Sequence, residues 1–173
     1  MSAKKLTTLA MLCALALAAH YLEGLLPPLM AGAPVKLGLA NIFTLLALML
    51  YSGREALFVT GVRCVLGPLL GGSALGIAYS LSGGLSSLAV MSALMKLYRK
   101  GVLSPVGVSA AGAFCFNTAQ ILVGYALNGP AALYYFPYIS LVSIPTGIFV
   151  GLCAIFIAGR LNKYINTSGR TNK

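Results

Sequence analysis

Long apolar runs separated by short polar or glycine-rich breaks organise this chain. The first run extends from about Leu6 to Leu26 and stops at Pro27-Pro28. After a loop at Leu29–Val35, a second spans about Lys36–Tyr51 and ends at Ser52-Gly53. A third, about Arg54–Leu70, closes at Gly71-Gly72, and three more follow at about Ser73–Tyr98, Leu103–Leu127 and Ala132–Asn162. A bilayer core takes roughly 20 apolar residues per helix. The pattern therefore predicts an all-α integral membrane protein of six transmembrane helices, the second and third of them short. The expected organisation is a single transmembrane domain over 1–165 and a polar, disordered cytoplasmic tail over 166–173.

Composition agrees with that pattern. Of 173 residues, 59% are hydrophobic and 8% charged, whereas soluble domains carry about 25% charged residues. The mean hydropathy of +0.92 leaves no stretch polar enough for a separate water-facing domain. A formal net charge of +10 would point to nucleic acid in a soluble protein. Here the basic residues border apolar runs, where they set topology, so no nucleic-acid partner is expected. Lys4, Lys5, Arg54, Lys96, Arg99, Lys100, Arg160, Lys163, Arg170 and Lys173 all fall at one side if the spans alternate. The positive-inside rule then places both termini in the cytoplasm, N-in and C-in. Lys4-Lys5 followed by an apolar run imitates a secretory signal, but the run continues to Leu26 and reads as a retained span. Cys13, Cys64, Cys115 and Cys153 lie in separate runs without a CxxC pair, which suits packing residues rather than a metal site.

Two basic residues escape the topological account, Lys36 and Arg63. Arg63 follows Arg54 by nine positions, or about 13 Å along a helix, near the middle of a hydrocarbon core about 30 Å thick. An arginine there costs about 2.5–3.5 kcal/mol on insertion scales and needs a polar partner or a cavity. An ion pair with Glu23 or Glu55 is one solution; anchoring an anionic ligand is another. His20 and Glu23 lie within roughly 60° of each other on the first helix, on a face well away from Ala10, Ala14 and Ala18. The alanine face suits helix packing and the other face suits a polar lining. Glu23 could alternatively pair with Lys36, and Glu55 beside Arg54 reads as a helix-capping residue. Asn41 in the second run, and Asn117 and Gln120 in the fifth, add amides that either bridge helices or meet a ligand. Gly72/Gly76 and Gly147/Gly151 repeat small residues at four-residue spacing, Ser80, Ser82, Ser86 and Ser87 surround Gly83-Gly84, and Tyr134-Tyr135 suit an interfacial belt. The unexplained polar residues, His20, Glu23, Lys36, Asn41, Arg63, Asn117 and Gln120, gather in the outer half, as a binding cavity open to the outside would require.

Known enzyme chemistry finds little support. The chain has no Asp and only Glu23 and Glu55 as carboxylates. Diphosphate chemistry through Mg²⁺ needs carboxylate clusters. No phosphate loop, HExxH or GxSxG motif is present. The expectation is therefore no autonomous enzyme, no cofactor and no metal.

The segments Lys36-Leu-Gly-Leu-Ala-Asn41, Arg54-Glu-Ala, Arg63 with Leu66-Gly67, Ser82-Gly-Gly84, Asn117-x-x-Gln120 and Tyr134-Tyr-x-Pro137 resemble a bacterial family. It is the Gx transporter family, also labelled heptaprenyl diphosphate synthase component I, and the resemblance covers nearly the whole chain. That family is similar to the substrate-binding S components of energy-coupling-factor (ECF) transporters. The resemblance implies an S-component-like bundle in the bacterial cytoplasmic membrane, an outward pocket, a transmembrane T component and ATPase subunits as partners. It further implies docking on the T component through Ala10, Ala14 and Ala18. Relatives often carry His before the Asn of the fifth span, where this chain has Phe116. The leading expectation is uptake of a small solute, its charge matched to Arg63 and Lys36, with Asn41, Asn117 and Gln120 as further contacts and His20 and Glu23 at the rim. The alternative is an accessory membrane subunit of heptaprenyl diphosphate synthase.

Overall fold

The computed structural model describes residues 3–25, 36, 38–72 and 74–170, with side chains through residue 161. The expected stop at Pro27-Pro28, the loop Leu29–Val35, Ser73 and the side chains of Lys163, Arg170 and Lys173 lie outside the described residues. Six α-helices follow in order: α1 Ala3–Leu25, α2 Asn41–Leu50, α3 Gly53–Leu70, α4 Ala74–Arg99, α5 Pro105–Asn128 and α6 Phe136–Arg170, with a 3₁₀ segment Pro130–Tyr135 leading into α6. No strand occurs among the described residues. Four segments are long and apolar enough to cross a membrane: α1, α4, α5 and Pro130–Leu161. These make the chain a multi-pass membrane protein. Helix α3 carries Arg63 within its apolar sequence, and α2 has only 10 residues. Helix α6 continues to Arg170, past the tail boundary expected at residue 165.

Side-chain pairs fix the direction of each helix. Lys5 meets Glu55 at one end of α1 and α3, while His20 faces Gly67 towards the other, so these two helices run parallel. Asn41 opposite Arg63 and Thr44 opposite Thr60 make α2 antiparallel to α3. Cys64 with the Ser80 carbonyl, and Gly53 beside Ser92, reverse α4. Tyr79 with Asn128 reverses α5 relative to α4, and Asn117 with Ser143 reverses α6 relative to α5. The start of α1 and the C-terminal end of α6 therefore face the same side. Lys4, Lys5, Arg54, Lys96, Arg99 and Arg160 collect at that end.

Close backbone approach holds α5 to α6. A Cβ on Gly147 would lie 2.5 Å from Ala110 Cα, and one on Gly151 would lie 2.7 Å from Val106 Cα. Small residues permit such contact where lipid offers no hydrophobic drive to association. The Gly72/Gly76 spacing has a different cause: Gly72 sits at φ +70° in the turn after α3, with open space around it. Ser104 caps α5 by accepting from the Gly107 N–H at 3.2 Å, with Pro105 at the first turn, where its missing N–H is not needed. At the start of α3, Ser52 donates to Glu55, which also pairs with Lys5 and ties the ends of α1 and α3.

Helix α2 is enclosed by its neighbours. None of its residues is exposed, and Leu45, Leu46 and Ala47 join Leu12, Ala16, Val59, Met91 and Val108 in the core. Helix α1 is peripheral and packs on α2 and α3 through Leu9, Leu12, Cys13, Ala16, His20 and Glu23. Ala10, Ala14 and Ala18 lie on its exposed side with Met11, Leu15 and Leu22. The sequence arithmetic that separated the alanine face from the polar face is matched by this burial pattern.

Candidate functional site

The second apolar run does not begin as helix at Lys36. Residues 38–40 form a turn, with Gly38 at φ +80°, and α2 starts only at Asn41. Glycine reaches that left-handed region without steric cost. A side chain there would also meet Asn41 Nδ2 at 3.1 Å and the Phe116 ring at 3.8 Å. Irregular backbone this deep in a helical bundle is tolerated only where protein covers it. Its polar groups are met by the neighbouring helices: the Leu39 N–H donates to Glu23 Oε1 at 2.8 Å, and the Lys36 N–H donates to Gln120 Oε1 at 3.5 Å.

Around this turn five of the predicted polar residues, His20, Glu23, Asn41, Arg63 and Gln120 on helices α1, α2, α3 and α5, gather with Lys36, while Asn117, one turn before Gln120 on α5, turns to Ser143 of α6. His20, Glu23, Asn41, Arg63, Asn117 and Gln120 are all buried, and Lys36 is half-buried. Arg63, at 2% exposure, is the largest fully enclosed side chain but one class apart from the rest, because it is a cation. Its Nη2 donates to Asn41 Oδ1 at 3.1 Å and lies 3.7 Å from Cys64 Sγ. Its guanidinium carbon stands 6.0 Å from the centre of the Phe116 ring, within range of a cation–π contact. Neither glutamate forms an ion pair with it: Glu55 belongs to Lys5, and Glu23 accepts from Leu39.

Lys36 Nζ lies 2.6 Å from His20 Nε2. The alternative Glu23–Lys36 ion pair is thus replaced by a His20–Lys36 contact. A contact this short is one N–H donating to the other nitrogen's lone pair, so at most one of the two is charged. By residue type the cluster sets two basic side chains, Arg63 and Lys36, beside one imidazole and one carboxyl group, Glu23. Basic groups thus outnumber acidic ones in a buried setting.

Several buried polar atoms in the cluster have no hydrogen-bond partner. They are Arg63 Nε, Asn41 Nδ2, Gln120 Nε2 and Asn117 Oδ1. Asn117 uses its amide nitrogen to donate to Ser143 Oγ at 2.7 Å, and Ser143 in turn donates to the Ile139 carbonyl. Buried polar groups without partners are rare and costly, typically about 1–3 kcal/mol each. Three of these four atoms are donors.

Four supporting residues stand behind the cluster. Gly67 makes room for His20, since a Cβ there would sit 2.4 Å from the imidazole. Gly83 accommodates Phe116, and Gly84 accommodates Cys64 and Arg63. Phe116, expected only as a departure from relatives, is the aromatic wall beneath the guanidinium. The Ser82-Gly-Gly84 spacing contained the signal for close packing, although not for what packs there. No group of three or more His, Cys, Asp or Glu that could hold a metal occurs among the described residues.

Fold and site together define a helical, multi-pass membrane protein with a cationic cluster buried among its helices. The chain belongs to the heptaprenyl diphosphate synthase component I family, whose family model matches residues 12–157. No curated protein and no solved structure matches it.

Proposed function

We propose that this chain is a membrane-embedded binding subunit that holds an anion-bearing small molecule at Arg63 and acts through a separate protein partner. The observation that carries this is the excess of basic over acidic side chains in the buried cluster, with Arg63 Nε, Asn41 Nδ2 and Gln120 Nε2 left as unused donors. Arg63, Lys36, Asn41 and Gln120 are the contacts, with Asn117 beside them and His20 and Glu23 at the rim. The six helices alternate across the bacterial cytoplasmic membrane with both termini inside, in keeping with the basic residues gathered at one end.

Family membership favours a synthase as the partner. In this reading the chain is the accessory membrane subunit of a prenyl diphosphate synthase, and catalysis resides in the other subunit. The absence of Asp from the sequence supports that division of labour. Glu23 and Glu55 do not meet at a metal: Glu55 pairs with Lys5, and Lys5 is eighteen residues from Glu23, about 27 Å along the helix.

A second reading, as an ECF-type S component, is favoured by one observation. Ala10, Ala14 and Ala18 form an exposed small-residue stripe on α1, opposite His20 and Glu23. That stripe would dock a T component coupled to ATPase subunits, and the bound solute would come from outside. Purification of the tagged chain in mild detergent separates the two. Recovery of a soluble Asp-rich synthase supports the first reading, and recovery of ATPases with a second membrane protein supports the other. An Arg63→Gln variant that folds and retains the bound small molecule would remove the site assignment from both.

A further inference from the structure

The cluster's geometry points to the chemical class of its ligand and to the residue that the ligand displaces. We infer that the site takes a phosphate-type oxyanion, and that His20 occupies Lys36 in place of that anion when the site is empty. The inference rests on the binding reading above and deepens it.

The unused donors approach from three elements: Asn41 from α2, Arg63 from α3 and Gln120 from α5. Each of these side chains is at most 4% exposed, so water does not substitute freely as their partner. Lys36, preceding the turn, adds an amine nitrogen. A carboxylate is planar and offers two oxygens, whereas a phosphate group offers three and presents them in different directions. Donors arriving from separate helices match the second arrangement.

Charge leads to the same class of ligand. Arg63 and Lys36 outnumber Glu23 as ionisable groups here, so an anionic ligand is matched in sign. Lys36 faces His20 at 2.6 Å, with Arg63 and Glu23 as the other charged groups near the imidazole, and Gly67 lies against the ring. Glu23 does not compete for Lys36, because its Oε1 accepts from the Leu39 N–H. A phosphate oxygen is a stronger acceptor for an ammonium than an imidazole nitrogen, because both partners are then ionised. Binding therefore transfers Lys36 from His20 to the anion.

His20 is the sole histidine in the chain, so a protein carried on a histidine-free tag and labelled with ¹⁵N-histidine reports on one imidazole. The full chain in detergent would be titrated with inorganic diphosphate, farnesyl diphosphate and citrate. The expected result is saturable binding of a diphosphate, a shift of the imidazole nitrogen signals on binding, and at least a tenfold loss of affinity in Arg63→Gln and in Lys36→Gln. Binding of inorganic diphosphate assigns a water-soluble phosphate, and binding of farnesyl diphosphate alone assigns a lipid-borne one. Saturable binding of citrate without either diphosphate overturns the phosphate assignment and leaves the anion site standing. Diphosphate binding with an unmoved imidazole signal overturns the displacement of His20. If no anion binds, or all bind Arg63→Gln as well as the native chain, the inference and the binding reading fall together.

Discussion

Gly67 is the floor on which the His20 imidazole rests: a Cβ at position 67 would lie 2.4 Å from His20 Cδ2 and 2.9 Å from Nε2. The two residues lock α1 against α3 one turn beyond Arg63. Gly67→Ala should destabilise the protein by about 1–3 kcal/mol, the usual penalty for overpacking. In a His20→Ala background the same change should cost much less. A double-mutant cycle on thermal unfolding in detergent checks this; additive effects would mean that the ring and the glycine do not communicate.

Arg63 should tolerate no substitute. Lysine lacks the fork that lets one guanidinium donate to Asn41 while presenting Nε elsewhere. Arg63→Lys and Arg63→Gln are both expected to lower ligand affinity by at least about tenfold, the loss of one charge-assisted hydrogen bond. Calorimetry on folded variants reads this directly. Retention of affinity in the lysine variant would show that charge alone suffices.

Gly61 of α3 and Gly84 of α4 should respond in opposite senses. Gly84→Ala would set a methyl 2.5 Å from Cys64 Sγ and 3.2 Å from Arg63 Nη2, disturbing the cluster. Gly61 has nothing within 4 Å of the corresponding position. Gly61→Ala should stabilise α3 by about 0.5–1 kcal/mol through helix propensity alone. A comparison of the two melting temperatures and ligand affinities decides the matter.

Ala14→Leu tests the exposed stripe of α1. Since Ala14 is exposed on α1, stability and ligand binding should stay unchanged while recovery of the partner complex drops. Loss of folding in this variant would place the alanine face within the protein's own packing instead.

Orientation is open to labelling with a membrane-impermeant thiol reagent. Lys100→Cys should react only after permeabilisation, and Tyr134→Cys, at 85% exposure, should react in intact cells. Cys13 and Cys64 are buried and Cys115 and Cys153 half-buried within helices, so the native background is low. The reverse pattern would invert the topology.

How far the sequence foretold this arrangement depended on what signalled it. The polar cluster was legible because each member stands out against apolar neighbours, and helical periodicity put His20 and Glu23 on one face and the alanines on another. Arg63 was legible from its depth alone. The turn at residues 38–40 was not: Leu37, Leu39 and Ala40 continue an apolar run, and Gly38 within it does not distinguish a flexible helix from a left-handed turn. The Lys36–His20 contact was hidden for the same reason, since a helical Lys36 would have pointed elsewhere. Phe116 lay in an apolar stretch, and only its neighbours in space give it a role. Spacing motifs misled once, at Gly72, where a turn and a packing glycine look alike in one dimension.

The enclosure of α2 bears on how the protein is made. Ten residues are too few to partition into a bilayer as an independent span, and none of the residues of this helix is exposed. The segment must be drawn in together with α1 and α3, after the guanidinium of the latter has emerged to offer Asn41 a partner. Insertion of the first three helices is thus expected to be one cooperative step, in which the Arg63–Asn41 hydrogen bond joins α2 to α3.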